Sequence, residues 1–277
     1  MAGYLTDGAL IRLPRRTLAL AISPHAVALT PVIGIAAVST SPLPQALIIG
    51  GGLVAFAALL LIRLKMILAA DLFAYMHVLA RAGTPEARAH AERVAELTGE
   101  ITLDADETLI VGHSLGGLAA IEAVAGLLQR LPQDGRLSLM TLGSVHGIVL
   151  AQQGAGRDRL ARAIAAIASD PRVFWLDVSS PRDAFCVPLT DPLLQIGTEA
   201  RPGMTSPRVI SARLANAPRI PGDRRTVFSA MRRHMGYLLA PVDGSGFDYA
   251  DIVTGPETLA ERFKDRGNSP KARMWPG

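Results

Sequence analysis

Apolar and polar positions change their spacing sharply along this chain. From Thr17 to Ile62 there is no Lys, Arg, Asp or Glu, and the apolar run is broken only at "STSPLPQ", Ser39 to Gln45. The pattern predicts two apolar helices joined by a tight turn. The first, 17–38, would reach roughly 33 Å and the second, 44–62, roughly 28 Å, against a hydrocarbon layer of about 30 Å. Both are long enough to span a bilayer. Arg12, Arg15 and Arg16 precede the first span, Arg63 and Lys65 follow the second, and the turn has no basic residue. By the positive-inside rule both ends face the cytoplasm, as expected of a multi-pass protein of the inner (cytoplasmic) membrane with the lipid bilayer as partner. One alternative is a helical pair buried in a soluble core, against which the length without charge counts. Another is an export signal around "PRRTLALA", which leaves the second span unexplained.

Beyond residue 65 the periods shorten. "DLFAYMHVLARAG" and "TPEARAHAERVAELTGE" read as helices, the second with Thr84 as cap, Pro85 as first helical residue and Gly99 as stop. A strand follows at about Glu107 to Val111, then a helix from Leu115 to Leu131, a strand at "RLSLMTLG", a helix at "GRDRLARAIAAIAS" and a strand at "RVFWLDV". Short apolar strands alternating with helices predict an α/β fold with a parallel sheet covered on both faces. The expected organisation is a membrane hairpin over 1–65, connecting helices over 66–105 and an α/β domain over 106–277.

Composition agrees with a membrane segment: 49% hydrophobic residues and a mean hydropathy of +0.30 exceed what a soluble core of 277 residues requires. The net charge of +4 is spread among acids rather than gathered in a stripe. That suits a surface near anionic head groups and argues against nucleic acid as a partner. The single cysteine, Cys186, excludes an internal disulfide. There is no Cys/His cluster with metal spacing and no phosphate-binding glycine loop, so neither a metal nor a cofactor is expected.

The chemistry concentrates in "ETLIVGHSLGGLAA", Glu107 to Ala120. Ser114 falls where a strand turns into a helix. Gly112 and Gly116, two residues either side, would supply the small positions that such a turn needs where backbone and helix crowd together. The backbone N–H of Leu115 would point at the oxygen of a reacting carbonyl, helped by the positive end of the new helix. With "GHSLGG" in this setting the chain resembles the α/β-hydrolase superfamily of lipases and esterases.

That resemblance implies a nucleophile, an acid and a base in the order Ser, Asp, His. The acid would lie in the loop after "RVFWLDV", where Asp177, Asp183 and Asp191 compete. Asp183, followed by Pro188, fits the family's arrangement; Asp177 is expected at the end of the strand, and Asp191 in a turn before Pro192. Of the six histidines only His234 follows these acids, so chain order selects it as the base. His113 reads as packing support for the turn, His146 as a loop residue, and His77 and His90 as helix residues without an evident partner. Cys186 reads as a small apolar packing residue.

The superfamily has several strands before the serine turn, and a loop after one of them gives the second oxyanion donor. Here the apolar hairpin and helices occupy that space, so a truncated sheet is expected and the second donor is unassigned. The segment Glu199 to Arg225 is either a flap or a surface excursion, and "RFKDRGNSPKARMWPG" reads as a frayed tail. The resemblance implies a membrane-anchored serine hydrolase, carboxylesterase- or lipase-like, cleaving small-molecule or lipid esters through an acyl-enzyme. The competing expectation is a membrane adaptor that keeps the scaffold without turnover.

Overall fold

The computed structural model describes residues 25–27, 29, 31, 43–63, 66–83, 85–101, 105–198, 207–212, 227–239 and 247–269. The first expected span, 17–38, therefore lies almost wholly outside the described residues. At the second, helix α1 covers Leu43–Arg63, 21 residues without a charge before its last position. Counting only residues whose side chains are described, no helix is long and apolar enough to cross a membrane. Ile49, Val54, Phe56 and Leu59 of α1 are exposed, while Ala57 is buried.

Helix α2 (Met66–Arg81) follows almost directly and ends at Gly83, whose φ of +72° supplies the left-handed residue that commonly closes a helix. Helix α3 (Pro85–Ile101) begins at the proline, as expected, but runs through Gly99 instead of stopping there. A glycine inside a helix costs about 1 kcal/mol without ending it.

The α/β part is a four-stranded sheet in the order β1 (Thr108–His113), β2 (Leu137–Leu142), β3 (Val173–Ser179), β4 (Arg208–Ser211), all parallel. Helix α4 (Gly116–Leu127) follows β1, the short α5 (His146–Leu150) and α6 (Ala155–Ser169) follow β2, and α7 (Pro192–Gln195) follows β3. Helix α8 (Val227–Met235), a 3-10 turn at Gly236–Leu238, α9 (Tyr249–Thr254) and α10 (Leu259–Phe263) come after β4. Helix α4 ends four residues before the expected Leu131, and the turn after it is held by Arg172, which donates to the carbonyls of Leu128 and Leu131.

Strand alternation explains the two-sided core. Leu137, Leu139, Val173 and Trp175 point to the face covered by α2, α4, α5 and α6, whereas Met140, Leu142, Leu176, Val178 and Ile210 point to the face covered by Tyr237, Phe247, Ile252 and Phe263. Both faces of the central strands are apolar, the signature of a covered parallel sheet.

Two expectations need correction. Part of Glu199 to Arg225 is neither flap nor excursion, because Arg208–Ser211 is the fourth strand. The four-residue run "RVIS" is too short to show an alternating pattern beside its prolines. The tail is not wholly frayed either. Val209 N–H donates to the Asn268 side-chain oxygen and Ser211 N–H to Ser269 Oγ, each at 2.9 Å, and Ser269 N–H returns a bond to the Val209 carbonyl at 2.9 Å. These bonds satisfy the outer edge of β4.

Candidate active site

The turn after β1 places Ser114 at φ +58°, left-handed backbone that only glycine adopts freely. Its N–H is tied to the Leu142 carbonyl of β2 at 3.0 Å, and its own carbonyl accepts from Gly117 N–H at 3.0 Å. The chain reverses here within a few residues, so the small positions are forced. A Cβ on Gly112 would meet the Gly116 carbonyl oxygen at 2.6 Å, Gly117 Cα at 2.7 Å and the Ala120 methyl at 2.8 Å. Gly116, expected to share that role, does not: a Cβ there would meet nothing within 4 Å. The crowded partner is Gly117, where a Cβ would lie 2.3 Å from Ser144 Oγ. The reason is geometric: Gly117 faces the loop after β2 while Gly116 faces outward. Among the described residues the N–H groups of Leu115 and Gly116 donate to no acceptor, as first-turn amides of a helix do, and they sit at its positive end.

The loop that carries Asp183 begins where β3 ends. Ser179 Oγ accepts from Leu189 N–H at 2.7 Å, and Leu189 itself sits at φ +55°, so the loop 180–189 is pinned at its base. Inside it Asp183 N–H donates to the Ser180 carbonyl at 2.9 Å. The carboxylate is buried and fully engaged: Oδ1 accepts from Phe185 N–H at 2.9 Å, and Oδ2 accepts from His234 Nδ1 at 2.8 Å and from Tyr237 O–H at 2.9 Å.

His234 is in the last turn of α8, and Tyr237 is three residues on in the 3-10 turn, so one turn of chain brings both to the same oxygen. In the tautomer in which Nδ1–H donates to the carboxylate, Nε2 is the ring nitrogen left to accept. That nitrogen is buried and has no protein hydrogen bond among the described residues, so Ser114 Oγ does not bond to it in this state. Catalytic hydrogen bonds are often long before substrate closes a site. The ring is boxed by His113 at 4.8 Å, Phe185 at 5.1 Å and Tyr237 edge-on at 6.5 Å between centroids.

Three residues beyond the expected set shape the site. His113, the neighbour of Ser114, is more than packing: its Nε2 bonds the His234 backbone carbonyl at 2.8 Å and so ties the serine turn to the end of α8. Burial depresses its basicity, which keeps the ring neutral and Nε2–H the donor. Tyr237 is fully buried, and burial first, then the neighbouring Cys186 and Asp183, push its phenol well up; it stays a donor to the Asp183 carboxylate. Gly143, at φ +51°, leaves room for both groups, since a Cβ there would meet Tyr237 Cε2 at 2.6 Å and Asp183 Oδ2 at 2.9 Å. The spacing of His234 and Tyr237 was a readable signal; the Gly143 contact was not.

The rival acids have other employment. Asp177 is buried in β3 and accepts from Thr141 Oγ1 at 2.6 Å; burial raises its pKa. Asp191 caps α7 through Leu193 N–H at 2.9 Å, the turn role expected of it. His146 is buried against Trp175, and burial depresses its pKa; neither ring nitrogen has a protein hydrogen bond among the described residues. His77 does have a partner, Gln152 Oε1 at 2.7 Å, which joins α2 to the end of α5. Cys186 is a buried thiol in no disulfide; its pKa is pushed well up by burial and then by Asp183, to which it is hydrogen-bonded, so it is more than an apolar packing residue. Among the described residues no group of His, Cys, Asp and Glu is placed to hold a metal.

The chain matches no family model, no curated protein and no solved structure.

Proposed function

We propose that the protein is a serine hydrolase of the α/β-hydrolase type, in which Ser114 attacks a carboxylic ester, His234 accepts and returns the proton, and Asp183 orients the imidazole. The observation that carries this reading is the buried Asp183–His234 pair at 2.8 Å, packed against His113, which precedes a serine held at φ +58° on a strand-to-helix turn. Strain of that kind costs about 1–3 kcal/mol and concentrates at working sites. Attack forms the acyl–Oγ bond and expels the alcohol, protonated by His234; water activated by the same imidazole then releases the acid. Leu115 N–H would meet the oxyanion at the positive end of α4.

The hairpin 1–65 would anchor this domain in the inner membrane by spans 17–38 and 44–62, with the site on the cytoplasmic side and membrane-partitioned esters as substrates. A fluorophosphonate probe tests the chemistry. Labelling of the purified protein that disappears in Ser114→Ala supports the hydrolase. Folded protein that never labels is the adaptor without turnover.

A further inference from the structure

A cleft of about 360 Å³ runs between α2 and α4, floored by α5 and α6. Its lining is mostly aliphatic: Tyr75 and Leu79 from α2, Leu118 and Ala119 from α4, Val149 and Leu160 from below. One end is formed by Leu115 and Gly116, the residues that follow Ser114. At the other end Arg159 Nε bonds Glu122 at 3.0 Å, and the guanidinium lies so close to Gly83 that a Cβ there would meet Nη2 at 2.7 Å. The floor is rigid, because α2 and α6 meet backbone to backbone: a Cβ on Gly156 would fall 1.9 Å from the Leu79 carbonyl oxygen.

We infer that this cleft is an acyl-chain groove, taking the tail of an ester whose carbonyl lies at Ser114; the inference rests on the hydrolase reading and adds its substrate class. The aliphatic walls offer nothing to a charged head group. The Arg159–Glu122 pair is self-neutralised and closes the far end, so it limits chain length rather than binding a polar substituent. From Leu115 to Glu122 is seven helical residues, about 10 Å at 1.5 Å each. With carbon–carbon bonds near 1.5 Å laid in a zigzag, that length holds on the order of eight carbons. The wall given by α2 lies outside the sheet, on the helix that begins at Met66, directly after α1 ends at Arg63.

The test is a series of p-nitrophenyl esters from acetate to palmitate, assayed on the purified full chain in detergent. Each added methylene should raise kcat/KM about fourfold up to roughly eight carbons, after which the gain stops. Ala119→Phe, or Leu79→Phe if that protein does not fold, should move the break to shorter chains. Replacing Glu122 and Arg159 together by Leu, so that neither charge is left alone, should move it to longer ones. A flat series, or the same break in all proteins, overturns the groove. A diazirine-tagged octanoyl probe on Ser114→Ala separates this from the catalytic reading. Cross-linking to α2 and α4 peptides that Ala119→Phe abolishes, with no ester turned over by the native chain, keeps the groove and removes the hydrolase. Turnover with no such cross-link, and no break in the series, does the reverse.

Discussion

Replacing Asp183 by Asn asks one oxygen and one amino group to do the work of two oxygens. Phe185 N–H demands an acceptor at the Oδ1 position, 2.9 Å away, so the amide oxygen settles there and the NH2 faces His234 and Tyr237. The opposite flip sets NH2 against Phe185 N–H and leaves buried donors unpaired, at about 1–3 kcal/mol each. With NH2 pointing at Nδ1, the imidazole must accept there and carry its proton on Nε2. On the proposed mechanism, the lone pair that would take the Ser114 proton is then gone. Nothing else in the fold changes shape, so the loss falls on turnover, on the order of 10⁴ or about 5.4 kcal/mol at 1.36 kcal/mol per decade. The assay is steady-state hydrolysis of a short aryl ester in detergent, beside thermal melts showing that Asp183→Asn unfolds within a few degrees of the native protein. Asp177→Asn and Asp191→Asn are the controls, and each should cost far less, since one bonds Thr141 and the other caps α7. An Asp183→Asn protein within tenfold of native turnover would refute the reasoning; an inactive Asp191→Asn would transfer the role of acid.

If Ser114 and His234 act as one unit, each alanine variant should lose on the order of 10⁶ in turnover and the double variant little more; losses that multiply would break the pair. Gly112→Ala should destabilise by about 1–3 kcal/mol in a chemical melt, because its Cβ meets backbone at 2.6 Å, whereas Gly116→Ala, with nothing within 4 Å, should be neutral or slightly stabilising. Stability should fall as pH drops through about 6.5, because His113 and His146 bind protons less readily folded than unfolded, so their contribution is complete above the unfolded value and is lost below it. His146→Leu should flatten that fall in melts between pH 7 and 5; an unchanged slope would remove His146 from the account. The protein should stay in the membrane pellet through a high-salt wash, since salt screens a basic patch without extracting apolar spans.

Much of the α/β core was readable because its signals are local. Apolar strands of six or seven residues, the glycine beside Ser114 and the proline at the start of α3 each act on their immediate neighbours. Asp183 and His234 could be selected only through a family resemblance, yet the fold brings them to 2.8 Å. What the chain did not disclose depends on distant contacts. Gly117 is small because of Ser144, Gly143 because of Tyr237, and His113 bonds a carbonyl 121 residues away. Strand β4 was hidden for a similar reason: four residues carry too little pattern, and its partners are β3 and Asn268 to Ser269.

The closing of β4 by Asn268 and Ser269 sets an order on biogenesis. The strand lies 58 and 59 positions ahead of the side chains that cover it, so a chain emerging from the ribosome makes β4 well before its stopper exists. Until then the nascent sheet shows an unclosed row of amides to neighbouring nascent chains. Completion of the sheet is therefore a late event, and a chaperone that holds the chain until residue 269 is out would act at the step where misassembly is easiest.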